Sequence, residues 1–357
     1  MDSFKELFED IAKGEVGARD QELLETMTRS DLPYLLAGTA MDRALLKAYR
    51  EYPADWESYV TMETVKDFRT AERLYMYGGD GVLDKVVEQE PYNYASVSEG
   101  KYTFSVAKYG RKLGLSWESI INDDLSALKR IPEALARAAR RTEQKMITQL
   151  YVDSSGPKST LFNAGSGGYN LGTAPLSITS LTAGFLAIQD HKDQNGEPIF
   201  VQGVHLVVPP ALEITAKSIL EAIELQYPDK QGVAENYVNY RTNNWIKNRV
   251  TLHVNPYLPI VNTTSGDTNW FLFPDPSDIM CLVFARLRGH EEPEIFMKNP
   301  NAVKIGGGQD PYNGDFDHDS VEYKVRHVCG AAVGDYRGSY ASTGAAAWAV
   351  SDDEKNH

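Results

Sequence analysis

At 357 residues, with 42% hydrophobic and 24% charged side chains, the chain is long enough for one large domain or two ordinary ones, and too apolar to be a disordered polymer. Its 36 Lys and Arg against 50 Asp and Glu leave a net charge of −14. That excludes a broad nucleic-acid-gripping surface, because phosphate neutralisation needs clustered cations.

The first 60 residues are acidic and helix-friendly. Phe4, Leu7, Phe8 and Ile11 recur at helical spacing, as do Leu45, Leu46 and Tyr49, with Leu32-Pro33-Tyr34-Leu35-Leu36 as an interruption. Short helices in an arm that lies across something else are expected. From 61 to 117 the character changes. Lys101 to Tyr109 alternates polar and apolar, the period of a half-exposed strand, and Phe68 to Tyr77 can pair with it. Between them stand Gly78-Gly79-Asp80-Gly81, Pro91-Tyr92-Asn93-Tyr94 and Ser98-Glu99-Gly100, all turn chemistry. A long two-stranded excursion is marginal alone in water, so contacts outside it are expected to hold it.

Residues 124–152 carry the clearest helix. Leu128, Ile131, Leu135, Ala139, Thr142, Met146 and Leu150 step by three or four, with a possible break at Pro132. Arg137, Arg140, Arg141 and Lys145 lie on or beside the opposite face and form the densest basic cluster of the chain. A solvated face, a neighbour's acids or a polyanion would each explain them. A Gly/Ser-rich connector fills 153–178, followed by a helix over Ser180 to His191. Strands are expected at 203–208, 249–254, 269–273 and 281–285, with a helix over Ala211 to Leu225. This order reads as an α/β module near 196–319. Val321, Tyr323, Val325 and Val328 mark a further strand, and the polar tail Ser351 to His357 is expected to fray. The 20 tyrosines suit surfaces that are buried only on assembly.

Catalytic and ligand-binding patterns are sparse. No Gly-x-Gly-x-x-Gly follows a strand, no phosphate loop ends in Gly-Lys-Ser/Thr, and no Gly-x-Ser-x-Gly elbow occurs. The seven histidines are scattered without His-x-x-x-His spacing. Asp315-Phe316-Asp317-His318-Asp319 begins like a calcium loop but has Ser320 where glycine is needed and Arg326 in place of the bidentate acid. Cys281 and Cys329 sit in apolar runs, so buried free thiols and a reducing, intracellular assembly site are expected. No segment approaches the ~20 apolar residues of a membrane span. Met1 to Glu6 lacks the start of a signal peptide, so a soluble protein made where it acts is expected. The residues therefore predict no catalytic, cofactor or metal site, and the appendages favour an assembly protein.

Two stretches carry a resemblance. The first is Tyr109-Gly110-Arg111-Lys112, then Leu115-Ser116-Trp117-Glu118-Ser119-Ile120-Ile121-Asn122-Asp123-Asp124, then Leu135-Ala136-Arg137-Ala138-Ala139-Arg140-Arg141. The second runs from Trp270-Phe271-Leu272-Phe273-Pro274-Asp275-Pro276 through Leu287-Arg288-Gly289-His290-Glu291-Glu292-Pro293 to Tyr323-Lys324-Val325-Arg326-His327 and Asp335-Tyr336-Arg337-Gly338. Between them lies Leu206-Val207-Val208-Pro209-Pro210. Together these resemble the major capsid proteins of tailed double-stranded DNA bacteriophages, in the Mu-like branch of the HK97-like fold.

The resemblance implies an α+β chain with an N-terminal arm at 1–60 and an extended E-loop at 61–117. It implies a peripheral domain with a long spine helix at 118–195 and 320–345, an axial domain at 196–319 and a C-terminal tail at 346–357. It implies hexamers and pentamers of an icosahedral shell that encloses DNA without sequence-specific binding. It also implies a separate scaffold protein, a portal, no membrane, and assembly in the host cytoplasm into a virion. Phe4, Phe8, Gly78, Gly79, Asp80, Gly81, Tyr92, Tyr94, Arg137, Arg140, Arg141 and Lys145 are the expected inter-subunit residues. The rival readings are an encapsulin-like nanocompartment, a tail or baseplate protein, and a hydrolase with a dispersed Ser/His/Asp site.

Overall fold

The computed structural model describes residues 32–344, apart from 78–84, 87–97, 117–124, 164–169, 193–195, 197–198, 200, 202, 223, 229–238, 248, 299–300, 302–304 and 307–314. In chain order it begins with helix α1 (Leu32–Glu51) and a 3-10 turn (Asp55–Ser58), then strands β1 (Thr61–Val65), β2 (Ala71–Tyr77), β3 (Ser98–Phe104) and β4 (Ala107–Ser116). Helix α2 (Leu125–Tyr151) leads into β5 (Val152–Asp153), β6 (Gly156–Pro157) and β7 (Leu171–Gly172). Next come α3 (Ile178–Gln189), β8 (Val204–Val208), α4 (Glu213–Glu221), β9 (Glu224–Pro228), β10 (Asn239–Asn243), β11 (Val250–Val254) and the short α5 (Leu258–Val261). The chain closes with β12 (Trp270–Pro274), β13 (Leu282–Leu287), β14 (Glu294–Met297), β15 (Ser320–Val333) and β16 (Tyr340–Ser342). The protein is of the α+β class.

These elements form two compact units. The first takes the described residues of 1–52, 108–139 and 292–327, and the second those of 53–107, 140–291 and 328–357. The core of the first unit follows directly from periodicity. Leu45 and Tyr49 are four apart on α1, Ile131, Leu135 and Ala139 are four apart on α2, and Val321, Tyr323 and Val325 alternate on β15; all are buried together. There β14 pairs antiparallel with β15, placing Glu294 opposite Arg326. The two form an ion pair, and the Arg326 guanidinium lies 4.5 Å from the Phe296 ring centre.

The second unit contains two larger sheets. In one, β1 runs parallel to β13, and β13 antiparallel to the C-terminal half of β15. In the other the order is β11-β8-β12-β16-β7. Alternate residues of β12 enter different cores: Phe271 and Phe273 pack with Trp56, Tyr151 and Phe284, whereas Trp270 and Leu272 pack with Leu181, Phe185 and Leu206. Val207 and Val208 of β8 divide in the same way. This explains the unbroken apolar runs at 204–208 and 270–273, since a strand covered on both faces has no polar side to show. Each such buried side chain contributes about 1.5–3 kcal/mol. Ser177 caps α3, its Oγ accepting from the Ser180 amide while Ser180 Oγ accepts from the Ser177 amide. Cys281 and Cys329 are buried free thiols, and burial pushes the Cys329 thiol up to about 12.

Several expectations change. Leu32-Pro33 opens α1 and does not interrupt it, because proline fits a first turn. The expected arm contributes to folded cores: Leu45 and Tyr49 in the first unit, Trp56, Tyr59 and Val60 in the second. Helix α2 runs unbroken through Pro132; Pro132 and its neighbour Ile131 are buried, which offsets the lost backbone bond. The helix expected at 211–225 stops at Glu221 and gives way to β9. The strand expected to end at Tyr109 is two strands, β3 and β4, and β2 does pair with β3, from Ala71↔Phe104 to Tyr77↔Ser98.

Glycine has an evident reason at Gly330, where a Cβ would meet the Ser105 carbonyl oxygen at 2.0 Å. Gly330→Ala is therefore expected to destabilise the protein by about 1–3 kcal/mol in urea unfolding. Gly114→Ala, with nothing within 4 Å, should change stability by less than about 0.5 kcal/mol.

Candidate assembly surfaces

Of the four cations expected on α2, three are exposed and one is not. Arg137, Arg141 and Lys145 are exposed at four-residue intervals and make no ion pair among the described residues. Arg140 is only 8% exposed. Its Nη1 lies 3.0 Å from Glu143 Oε2 and 3.0 Å from Glu57 Oε1. Arg286 completes the group, with Nη2 3.1 Å from Glu57 and 4.0 Å from Glu143. Glu143 is fully buried. The sequence places Arg140 on the solvated face because three of the four cations recur by four. Arg140 stands one residue off that stripe, and the helical turn of ~100° per residue carries it inward.

A second exposed feature is β4, whose residues are exposed except for the half-buried Leu115. It pairs with β15. Gly110 lies so close to that strand that a Cβ would meet the Val325 carbonyl oxygen at 2.7 Å. Lys108, Arg111 and Lys112 stand along this strand with Tyr109 and Leu113. Among the described residues the strand that β4 pairs with is β15, and its charges disfavour indiscriminate pairing. The alternation read in the sequence stops at Tyr109, whereas β4 runs on to Ser116. The β2–β3 ribbon carries the ion pairs Arg73–Glu63 at 2.7 Å and Lys101–Glu72 at 3.1 Å. Phe4, Phe8, Gly78, Gly79, Asp80, Gly81, Tyr92 and Tyr94 lie outside the described residues.

The constellations that could suggest chemistry are placed differently. Ser58 Oγ donates to the Asp55 carbonyl at 2.8 Å and lies 3.3 Å from His253 Nε2. That same nitrogen faces His205 Nδ1 at 2.9 Å. A serine nucleophile needs a base whose other nitrogen is oriented by a third group, and here both contacts fall on one nitrogen. Ligand atoms of Asp315, Asp317 and His318 gather within 4.8 Å, but Asp315 already pairs with Lys298 at 3.4 Å. Among the described residues no helix is long and apolar enough to cross a membrane.

Removing one partner of a buried ion pair strands the other without water. Glu143→Ala is expected to cost about 3–5 kcal/mol in urea unfolding, and Arg141→Ala, on an exposed face, less than about 0.5 kcal/mol. Equal losses would contradict the division of the basic cluster into one buried and three exposed cations.

Comparison with curated proteins gives no match. Solved structures with similar folds include that of Gordonia phage Cozz, at 14% identity over 80% of this chain and 84% of the other, with a TM-score of 0.47. The asymmetric unit of the bacteriophage PhiM1 mature capsid is 11% identical over 82% and 87%, with a TM-score of 0.47. A virus-like particle from Pyrococcus furiosus is 10% identical over 85% and 98%, with a TM-score of 0.44. The decisive match is to a family described as phage capsid protein, and it covers residues 101–342. That span takes in α2, β8, β12 and β15, more than half of the sequence, and the chain belongs to the phage capsid protein family.

Proposed function

We propose that this chain is the major head subunit, assembling into hexamers and pentamers of an icosahedral shell around double-stranded DNA. The family match over residues 101–342 carries this reading. The exposed surfaces support it. A repeating shell needs heterologous contacts that recur between copies, and the α2 cation stripe and the β4 strand are surfaces of that kind. Contacts of modest strength are enough, because each copy makes several and the shell multiplies them. Modest contacts also let misplaced copies dissociate.

Arg137, Arg141 and Lys145 pair in this reading with the acidic start of a neighbouring copy, where Asp2, Glu6, Glu9 and Asp10 cluster. The net charge of −14 keeps the remaining wall from gripping DNA within a Debye length of roughly 8–10 Å. The reading keeps the E-loop at 61–117, the peripheral domain at 118–195 and 320–345, and the axial domain at 196–319. A separate scaffold protein and a portal complete the assembly in the host cytoplasm. The reading keeps the N-terminal arm at 1–60, with Leu45 and Tyr49 of α1 packed in a core of the first unit.

The triple variant Arg137→Glu, Arg141→Glu, Lys145→Glu tests the contact. The subunit should remain folded, with its melting temperature within about 4 °C of the parent, and should sediment without particles. Normal particles would remove the stripe from the interface. Removal of residues 1–31 should likewise leave a folded subunit that fails to close shells. Unimpaired closure would contradict a role for this part of the arm.

A further inference from the structure

His205 and His253 occupy adjacent parallel strands, β8 and β11, and both are buried. Their facing nitrogens, Nδ1 and Nε2, are 2.9 Å apart. Above them sits the turn that joins α1 to β1. Ser58 reaches His253 at 3.3 Å. The Tyr59 ring lies 5.3 Å from that of His253 and 6.2 Å from that of His205, and stacks on Phe273 at 5.6 Å. Asp275, just beyond β12, places Oδ2 3.8 Å from His205 Nε2.

We propose that this histidine pair is a proton-operated latch that adds to the hold on residues 53–60 against the sheet at neutral pH and loosens them on acidification.

An N···N contact of 2.9 Å holds a single proton. Asp275 favours the proton on His205 Nε2, so His205 Nδ1 accepts and His253 Nε2 donates. One added proton can be carried by the pair. A second sets N–H against N–H and places two cations in a buried site, which the geometry does not tolerate. The charged and titratable groups that face the pair are Asp275 after β12, Asp55 on the turn, Tyr59, and Tyr151 of α2, hydrogen-bonded to Tyr59. The two carboxylates favour a charged ring, but burial outweighs them: His205 is held below the usual histidine range, and His253 is pushed down to about 4, first by burial and then by His205.

The sign follows. Rings that titrate low when closed and normally when open bind more protons in the open form. The closed form is therefore fully favoured above about pH 6.5 and loses ground as the pH falls toward 4. The loss is about tenfold per pH unit for each extra proton.

Hydrogen exchange of the full chain, corrected for the intrinsic pH dependence of exchange, tests the latch. Protection of the 53–60 amides should fall at least about tenfold between pH 7 and pH 5, while β12 (270–274) stays protected. His253→Gln keeps a hydrogen-bonding side chain but cannot take a proton, and should hold 53–60 protected at pH 5. Unchanged wild-type protection, or the same loss in His253→Gln, would overturn the proposal. If His253→Gln fails to fold, Asp275→Asn decides. It removes the anion that tolerates a charged ring, so release should move to higher pH, and an unmoved midpoint would overturn the latch.

Discussion

Glu143 is a carboxylate without access to water, and that constraint fixes much of the second unit. A buried charge is tolerated only beside opposite charge with good geometry. Arg140 supplies it from the preceding turn of α2, Arg286 from β13, and Glu57 closes the ring from the 3-10 turn. Three segments far apart in sequence are held to one register. Trp56, beside Glu57, is then set on Phe284 at 4.7 Å, and Tyr151, two turns along α2, on Phe271 at 4.9 Å. Aromatic packing of this kind contributes most of the area, while the ionic group selects the arrangement.

The same helix exposes Arg137, Arg141 and Lys145. On a chain of net charge −14, an exposed stripe of Arg137, Arg141 and Lys145 is a local reversal of sign. As a proposed contact it steers an acidic partner. In the proposed shell this separates two requirements, cohesion between copies and indifference to the enclosed DNA. In the same proposal β4 adds a directional element, because strand-to-strand contact accepts only an extended, registered partner.

The sequence revealed the regular parts of this fold well. The strands expected at 203–208, 249–254, 269–273 and 281–285 from their apolar runs lie within a residue or two of the observed ones, and β15 was evident from its alternation, because burial imposes those patterns. The α2 helix was evident from its period. Arg140 was misplaced because a cluster of like residues reads as one surface, whereas its burial depends on Glu57 and Arg286, distant in sequence. The pairing of His205 with His253 was invisible for the same reason, since strand adjacency is set by topology and not by spacing. The packing of Leu45, Tyr49 and Trp56 was missed because short helical segments look alike whether they lie on their own core or on a neighbour's. Eight of the twelve expected contact residues lie on the arm and the hairpin excursion that the residue pattern suggested, outside the described residues.

The central claim is that copies of this chain complete one another in a closed shell. Cryo-electron microscopy of particles assembled from the full-length protein tests it most directly. The account predicts icosahedral shells in which α2 and β4 of each copy lie against its neighbours. Particles that are open tubes, or dispersed single subunits at assembly concentrations, would contradict it.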